Sequence, residues 1–269
     1  MAITFPTGSL KIPSGITALP SGTKRPAFGT LYGYDAQQGG GGGSTVTRQS
    51  DIVHWWKFDE DLDDSAGSVT LTSAEGTFSS SNKKFGTHAL DLDGVDDYAY
   101  SGDGDITDLA SAYTLSCWMR PEATSGTLPG VLNVTAYSGV GGSITTNGCG
   151  MTHHATKVRY YHALTSGQEG YSGGTDSALV VDRWYFIAIT HDGSNSQYWL
   201  ADATDGDSTV TQMSTTDTGG SIRGSLDRIF IGYTGYAYTN GQFDDVRNYN
   251  VALSEAELNE VYNGGDGDF

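Results

Sequence analysis

Six strand-like segments follow one another between Val53 and Tyr262, and they constrain this chain more than any other feature. They read VHWWKFDE (53–60), KFGTHALDLDGVDDYAY (84–100), YTLSCWMRPE (113–122), RWYFIAITHDGSNSQYWL (183–200), DRIFIGY (227–233) and GQFDDVRNYNVALSEAELNEVY (241–262). Most are short apolar or aromatic runs bounded by Gly, Asp, Asn or Ser, the pattern of a sheet built from many antiparallel strands. With 38 Gly and only 14 Lys and Arg among 269 residues, the composition suits tight turns rather than long helices. Hydrophobic content is a modest 37%, but 16 Tyr and 5 Trp bury a large area each, so one sizeable β-sandwich is within reach.

Charge and cysteine content narrow the function classes. A net charge of −18 and a pI near 4.4 argue against nucleic acid, whose phosphates would be repelled, and against an anionic membrane surface. No 18-residue apolar run offers a membrane-spanning helix. The opening MAITFPTGSLKIPSG lacks a basic stretch followed by an apolar one, so it does not read as a secretion signal. Cys117 and Cys149 are the only cysteines, too few for a disulfide framework. Cys117, inside LSCW, reads as a buried thiol; a Cys117–Cys149 bridge needs a geometry that spacing cannot establish.

Along the chain, residues 1–38 hold four of the six prolines and read as an extended arm. Residues 39–50 begin with Gly39–Gly43 and read as a flexible linker. The sandwich is expected over 51–269. Within it, 124–176 is rich in Gly, Ser and Thr and reads as two or three strands with long loops.

The ordered segments carry a recognisable series: Trp56-Lys57-Phe58-Asp59-Glu60; Phe85-Gly86 through Ala89-Leu90 to Asp93-Gly94-Val95-Asp96-Asp97-Tyr98; Ser116-Cys117-Trp118; Trp184-Tyr185 to Asp192-Gly193; and Gly241-Gln242-Phe243-Asp244-Asp245-Val246-Arg247. Ser254-x-x-Glu257 is then a capping box that opens a short helix. This series resembles the laminin-G-like, concanavalin A-like jelly roll. The resemblance implies an all-β, two-sheet antiparallel jelly-roll sandwich with a short C-terminal helix. The arm, through Leu19-Pro20-Ser21-Gly22-Thr23-Lys24-Arg25-Pro26 and Gly29 to Asp35, is loosely similar to elements of phage tail-fibre and other virion proteins.

Catalytic relatives of this architecture place carboxylates as Glu-x-Asp-x-x-Glu on one strand face, and the chain has no such segment. Asp59 to Asp64 is read instead as an acidic loop. A sugar site would use aromatic faces beside polar groups; Tyr160, Tyr161, His162, Tyr236 and Tyr238 are the candidates, with Tyr171 and Tyr233 beside them. The alternative is that these rings fill the core or meet neighbouring subunits. Related jelly rolls imply one structural calcium between the first and last strands, for which Asp59 and Asp244 are the candidate pair. Strand alternation puts Asp244 on the face of Val246, where its carboxylate needs a metal, an Arg or backbone N–H donors.

The expected function is a non-enzymatic phage virion component, a capsid decoration or fibre-type protein. Residues 1–44 would hold other virion proteins, and the jelly roll would stabilise the particle or adhere to host-surface glycans. It would be a homo-oligomer or part of a larger assembly, put together in the host cytoplasm. The alternative is a free-standing, extracellular bacterial carbohydrate-binding module or adhesin.

Overall fold

Alternation along each strand decides which side chains meet, and here it sorts the aromatic residues into three separate clusters. The computed structural model describes residues 46–106, 109, 112–124, 129–135, 148–154, 157–163, 169–213 and 228–268. The side chains of 154, 161–163 and 169–178 lie outside that description, as does the whole arm.

The strands are β1 (Ile52–Trp56), β2 (Thr72–Ala74), β3 (Thr77–Ser79), β4 (Ala89–Asp93), β5 (Tyr98–Tyr100), β6 (Tyr113–Pro121), β7 (Gly130–Thr135), β8 (Cys149–His154), β9 (Lys157–Ala163), β10 (Glu169–Ala178), β11 (Tyr185–His191), β12 (Ser196–Asp202), β13 (Thr211–Gln212), β14 (Arg228–Ile231) and β15 (Asn240–Tyr249). One sheet runs β13-β12-β11-β6-β15-β4-β3, with β1 also on β15; the other runs β10-β9-β8-β7-β14-β5-β2. All pairings are antiparallel, and the result is a two-sheet jelly-roll sandwich. The segment 124–176 supplies four strands (β7 to β10), more than its composition suggests, because Gly and Ser here sit inside strands as well as in turns.

Between the sheets lies the main core, with Leu115, Cys117 and Met119 of β6 facing Leu132, Val134, Ile229 and Ile231. Cys117 and Cys149 are buried free thiols, and burial pushes both up, Cys149 to about 12. They are core residues, not a bridge.

A second cluster covers the outer face of the first sheet. Trp55, Trp118, Phe186 and Tyr249 pack there under helix α1 (Glu255–Tyr262) through Leu258, Val261 and Tyr262. Its start is the expected capping box: Ser254 accepts from the Glu257 N–H, and Glu257 accepts from the Ser254 N–H. Asn263, in the left-handed region at φ 47°, ends it.

The segment ahead of β1 is tied to the end of the chain. The Thr47 N–H donates to Asp268 Oδ2 at 2.5 Å, and Val46 packs on the helix-side cluster. Val46 to Ser50, the end of the segment read as a linker over 39–50, thus pack with the sandwich; the remainder of that segment lies outside the described residues. Asp268 also pairs with Arg247, whose Nε reaches Asp245 Oδ1 at 2.8 Å; all three side chains are nine-tenths or more buried.

Candidate functional site

The third cluster lies on neither of these faces. In β14, Ile229 and Ile231 belong to the main core while Phe230 does not; in β5, Ala99 does while Tyr98 and Tyr100 do not. Phe230, Tyr98 and Tyr100 therefore sit on the outer face of the second sheet, where Tyr233 and Tyr238 join them. Tyr98 meets Tyr233 at 5.0 Å between centroids, and Tyr233 stacks on Tyr238 at 4.6 Å and 19°. Tyr100 stacks on Phe230 at 6.2 Å and 21°.

The rings grade from buried to open. Tyr98, Phe230 and Tyr233 are buried, Tyr100 and Tyr238 are half-buried, and Tyr236 is 65% exposed. The buried three pack against Tyr100 and Tyr238, so these two rings have little side-chain freedom left to lose on binding.

One glycine makes this arrangement possible. A Cβ on Gly130 would lie 2.3–2.6 Å from the backbone of Tyr233, so the 232–239 loop can cross the sheet only over a residue without a side chain. Asn133 Nδ2 holds that loop by donating to the Tyr233 carbonyl at 3.0 Å, and Thr239 Oγ1 donates to the Gly130 carbonyl. Asn133 Oδ1 is buried without a partner. Arg228 closes one end: its guanidinium lies 5.4 Å from the Tyr100 centroid and 5.6 Å from that of Phe230, and it pairs with Asp103 at 2.9 Å. Burial, then the neighbouring Tyr238, pushes the Tyr233 hydroxyl up to about 12, so it stays protonated near neutral pH.

Cross-strand register continues the backbone row that carries Tyr100 and Phe230. Thr72, Tyr100, Phe230, Asn133, Gly150, Tyr161 and Tyr171 occupy one continuous row across the second sheet. The aromatic positions of that row thus run from β5 to β10.

These findings redistribute the residues named from sequence. Tyr238 belongs to the aromatic platform, and Tyr236, 65% exposed, lies in the same 232–239 loop. Tyr160 does not: it is fully buried in the main core, stacks on Tyr198 at 4.2 Å and donates to the Trp199 carbonyl at 3.0 Å. Tyr160 cannot present a face to a sugar. Tyr161 and His162 hold adjacent backbone positions in β9, opposite Tyr171 and Gly170; their side chains lie outside the described set. Sequence reasoning missed Tyr98, Tyr100, Phe230 and Arg228. The spacing in Tyr98-Ala99-Tyr100 was the available signal, since residues two apart share a strand face.

Asp59 and Asp244 do come together, on one cleft of about 260 Å³ lined also by Lys57, Phe85, Gly86 and Asp245. The route differs from simple alternation. A bulge lies between Asp244 and Arg247, with Asp245 at φ 47°, and it reverses the expected facing. Asp244 consequently pairs with Trp118 on the helix side, while Val246 faces the core. Asp244 Oδ2 accepts from the N–H groups of Lys84 and Phe85, both at 2.9 Å. Burial, then the charge of Asp245, pushes its carboxyl up to about 8. Asp59 is half-buried; burial works against its charge, but the N–H groups of Thr87 and His88 hold it below its ordinary value. Both carboxylates therefore already have the backbone donors that capping a turn requires, and any cation here would be left with their remaining oxygens. Among the described residues, three carboxylates gather closely enough to share a cation only at Asp93, Asp96 and Asp97.

The platform offers ring faces, hydroxyls and one guanidinium, groups that bind and orient. A family model described as the concanavalin A-like lectin/glucanases superfamily matches residues 93–259. No curated protein sequence matches the chain. Among solved structures, domain 4 of AbnA, an extracellular GH43 arabinanase from Geobacillus stearothermophilus in complex with arabinotriose, superposes with a TM-score of 0.57 at 17% identity, over 78% of this chain and 97% of that one. The binding domain of Paraclostridial Mosquitocidal Protein 1 superposes with a TM-score of 0.60 at 12% identity, over 80% of this chain and 52% of that one. The receptor binding domain of botulinum neurotoxin mosaic serotype C/D gives 0.59 at 14%, over 80% and 51%. The chain thus spans about half the length of either toxin domain. At these identities the likeness shows the fold alone.

Proposed function

Because the chain belongs to the concanavalin A-like lectin/glucanases superfamily, we propose that Val46–Phe269 is a non-catalytic glycan-binding module whose binding face is the aromatic platform of the second sheet. The observation that carries this reading is the graded cluster itself. Three buried rings fix Tyr100 and Tyr238 at the surface, as stacking on the apolar face of a sugar requires, and the exposed Tyr236 is in the loop that carries Tyr238. The arabinotriose bound to the AbnA domain supports a saccharide as the ligand class for this fold, without identifying the sugar here.

Tyr100→Ala and Tyr236→Ala test the reading. Affinity electrophoresis through gels containing arabinan, galactan, xylan or β-glucan should show retardation of the parent protein and its loss, by about tenfold, in each variant. Unchanged retardation in both would sink the platform as the site. Incubation with the bound polysaccharide should release no reducing ends; steady release would make the module an enzyme.

The wider setting we propose is a phage particle, to which residues 1–44 would anchor the module. That part rests on the resemblance of the arm alone. Deleting residues 1–44 should then abolish incorporation into particles while leaving retardation by glycan intact.

A further inference from the structure

The platform has an electrostatic border that bears on which glycans it accepts. At its Tyr98 end, Asp97 directly precedes the ring, and the carboxylates of Asp93, Asp96 and Asp97 lie within 4.8 Å of one another. Glu75 belongs to the same group: it follows Ala74, whose backbone pairs with Tyr98. Burial, then the charges of Asp93, Asp96 and Glu75, push the Asp97 carboxyl up, the mark of a negative local field. At the other end Asp103, 57% exposed, sits on Arg228. Among the described residues, Arg228 is the one cation over these rings, and its charge is already matched by Asp103. The whole chain adds a net charge of −18.

From this border, and resting on the platform reading above, we propose that the site takes uncharged glycan chains and excludes acidic ones, whether uronate, sialate or sulfate. The border carboxylates belong to residues next to Tyr98 (Asp97) and next to its strand partner Ala74 (Glu75), and charges at a surface act through about 8 Å at physiological salt. An anionic substituent there meets like charges, and Arg228, the cation over these rings among the described residues, is already paired with Asp103. A neutral ring meets the same aromatic faces without that penalty, and carboxylates at the border can still accept its hydroxyls.

The experiment compares each neutral polysaccharide that retards the protein with its own carboxymethylated derivative, so that the backbone sugar is constant and only charge changes. At 20 mM salt the carboxymethylated form should bind at least tenfold more weakly. The gap should narrow several-fold at 0.5 M salt. It should also narrow in Glu75→Gln/Asp96→Asn, a double substitution of two exposed side chains that leaves every ring in place. Equal or tighter binding of the carboxymethylated form would overturn the inference while leaving the platform standing. A gap that neither salt nor the double variant narrows would make the exclusion steric, and would overturn it too. Failure of every neutral polysaccharide to bind would remove the platform reading, and this inference with it.

Discussion

Replacing Asp64 by asparagine should remove a pH-dependent part of the stability of the sandwich. The Asp64 side chain is fully covered and collects five donors. Oδ2 meets His54 Nδ1 at 2.6 Å and the Val69 N–H at 3.3 Å; Oδ1 accepts from the N–H groups of Trp55 at 2.9 Å, Ala66 at 3.0 Å and Gly67 at 2.8 Å. Burial opposes the charge, but these donors, His54 first, hold the carboxyl down to about 2 from an ordinary 3.8. A folded value below the unfolded one means the contribution is present above about pH 4 and is lost as pH falls through 2. That depression corresponds to about 2.4 kcal/mol, and solvent screening at the loop trims it to about 1.5–2 kcal/mol. Urea unfolding followed by tryptophan fluorescence, at pH 6, 4, 3 and 2, would measure both proteins. The parent should be the more stable at pH 6 by at least that amount, and the gap should shrink by about 1–1.5 kcal/mol between pH 4 and pH 2, where the folded carboxyl is still half ionised. A gap that stays constant across this range would refute the reasoning, because it would place the cost in packing rather than in the charge.

Asp244→Asn should behave with the opposite sign. A folded value raised to about 8 gives stability that is complete below about pH 4 and lost as pH rises through 8, so the variant should gain on the parent between pH 5 and pH 8 in the same urea series. Gly130→Ala forces a Cβ against the Tyr233 backbone; we expect a loss of about 1–3 kcal/mol in stability, with glycan retardation falling alongside. Calcium at 1 mM should move the thermal midpoint by less than about 1 °C, since backbone N–H groups already serve Asp59 and Asp244. A larger shift that EDTA reverses and Asp244→Asn abolishes would establish a metal at that cleft.

What could be read from the sequence was whatever a few neighbouring residues decide. The helix start at Ser254 is legible because both halves of the capping box lie within one turn. The jelly roll is legible because its segments keep their order. Facing was harder. Tyr160 and Tyr161 look like one aromatic pair in the chain, yet adjacent strand positions alternate, and Tyr160 belongs to the core. The same alternation puts Asp244 with Val246, and a single left-handed residue, Asp245, inverts it. Nothing short-range announces that bulge. The platform itself depends on register between β5, β14 and β7, strands separated by long stretches of chain, and on a glycine that permits a loop to pass.

The contact between Thr47 and Asp268 has a consequence for how this module can be handled. The two ends of the sandwich unit, Thr47 and Asp268, sit one hydrogen bond apart, stapled through Arg247 to the longest strand of the first sheet. Such a module can be spliced into a host loop without stretching it, or closed by a short peptide and reopened at the Ala203–Asp207 turn. Either rearrangement would leave all five platform rings on uninterrupted stretches of chain.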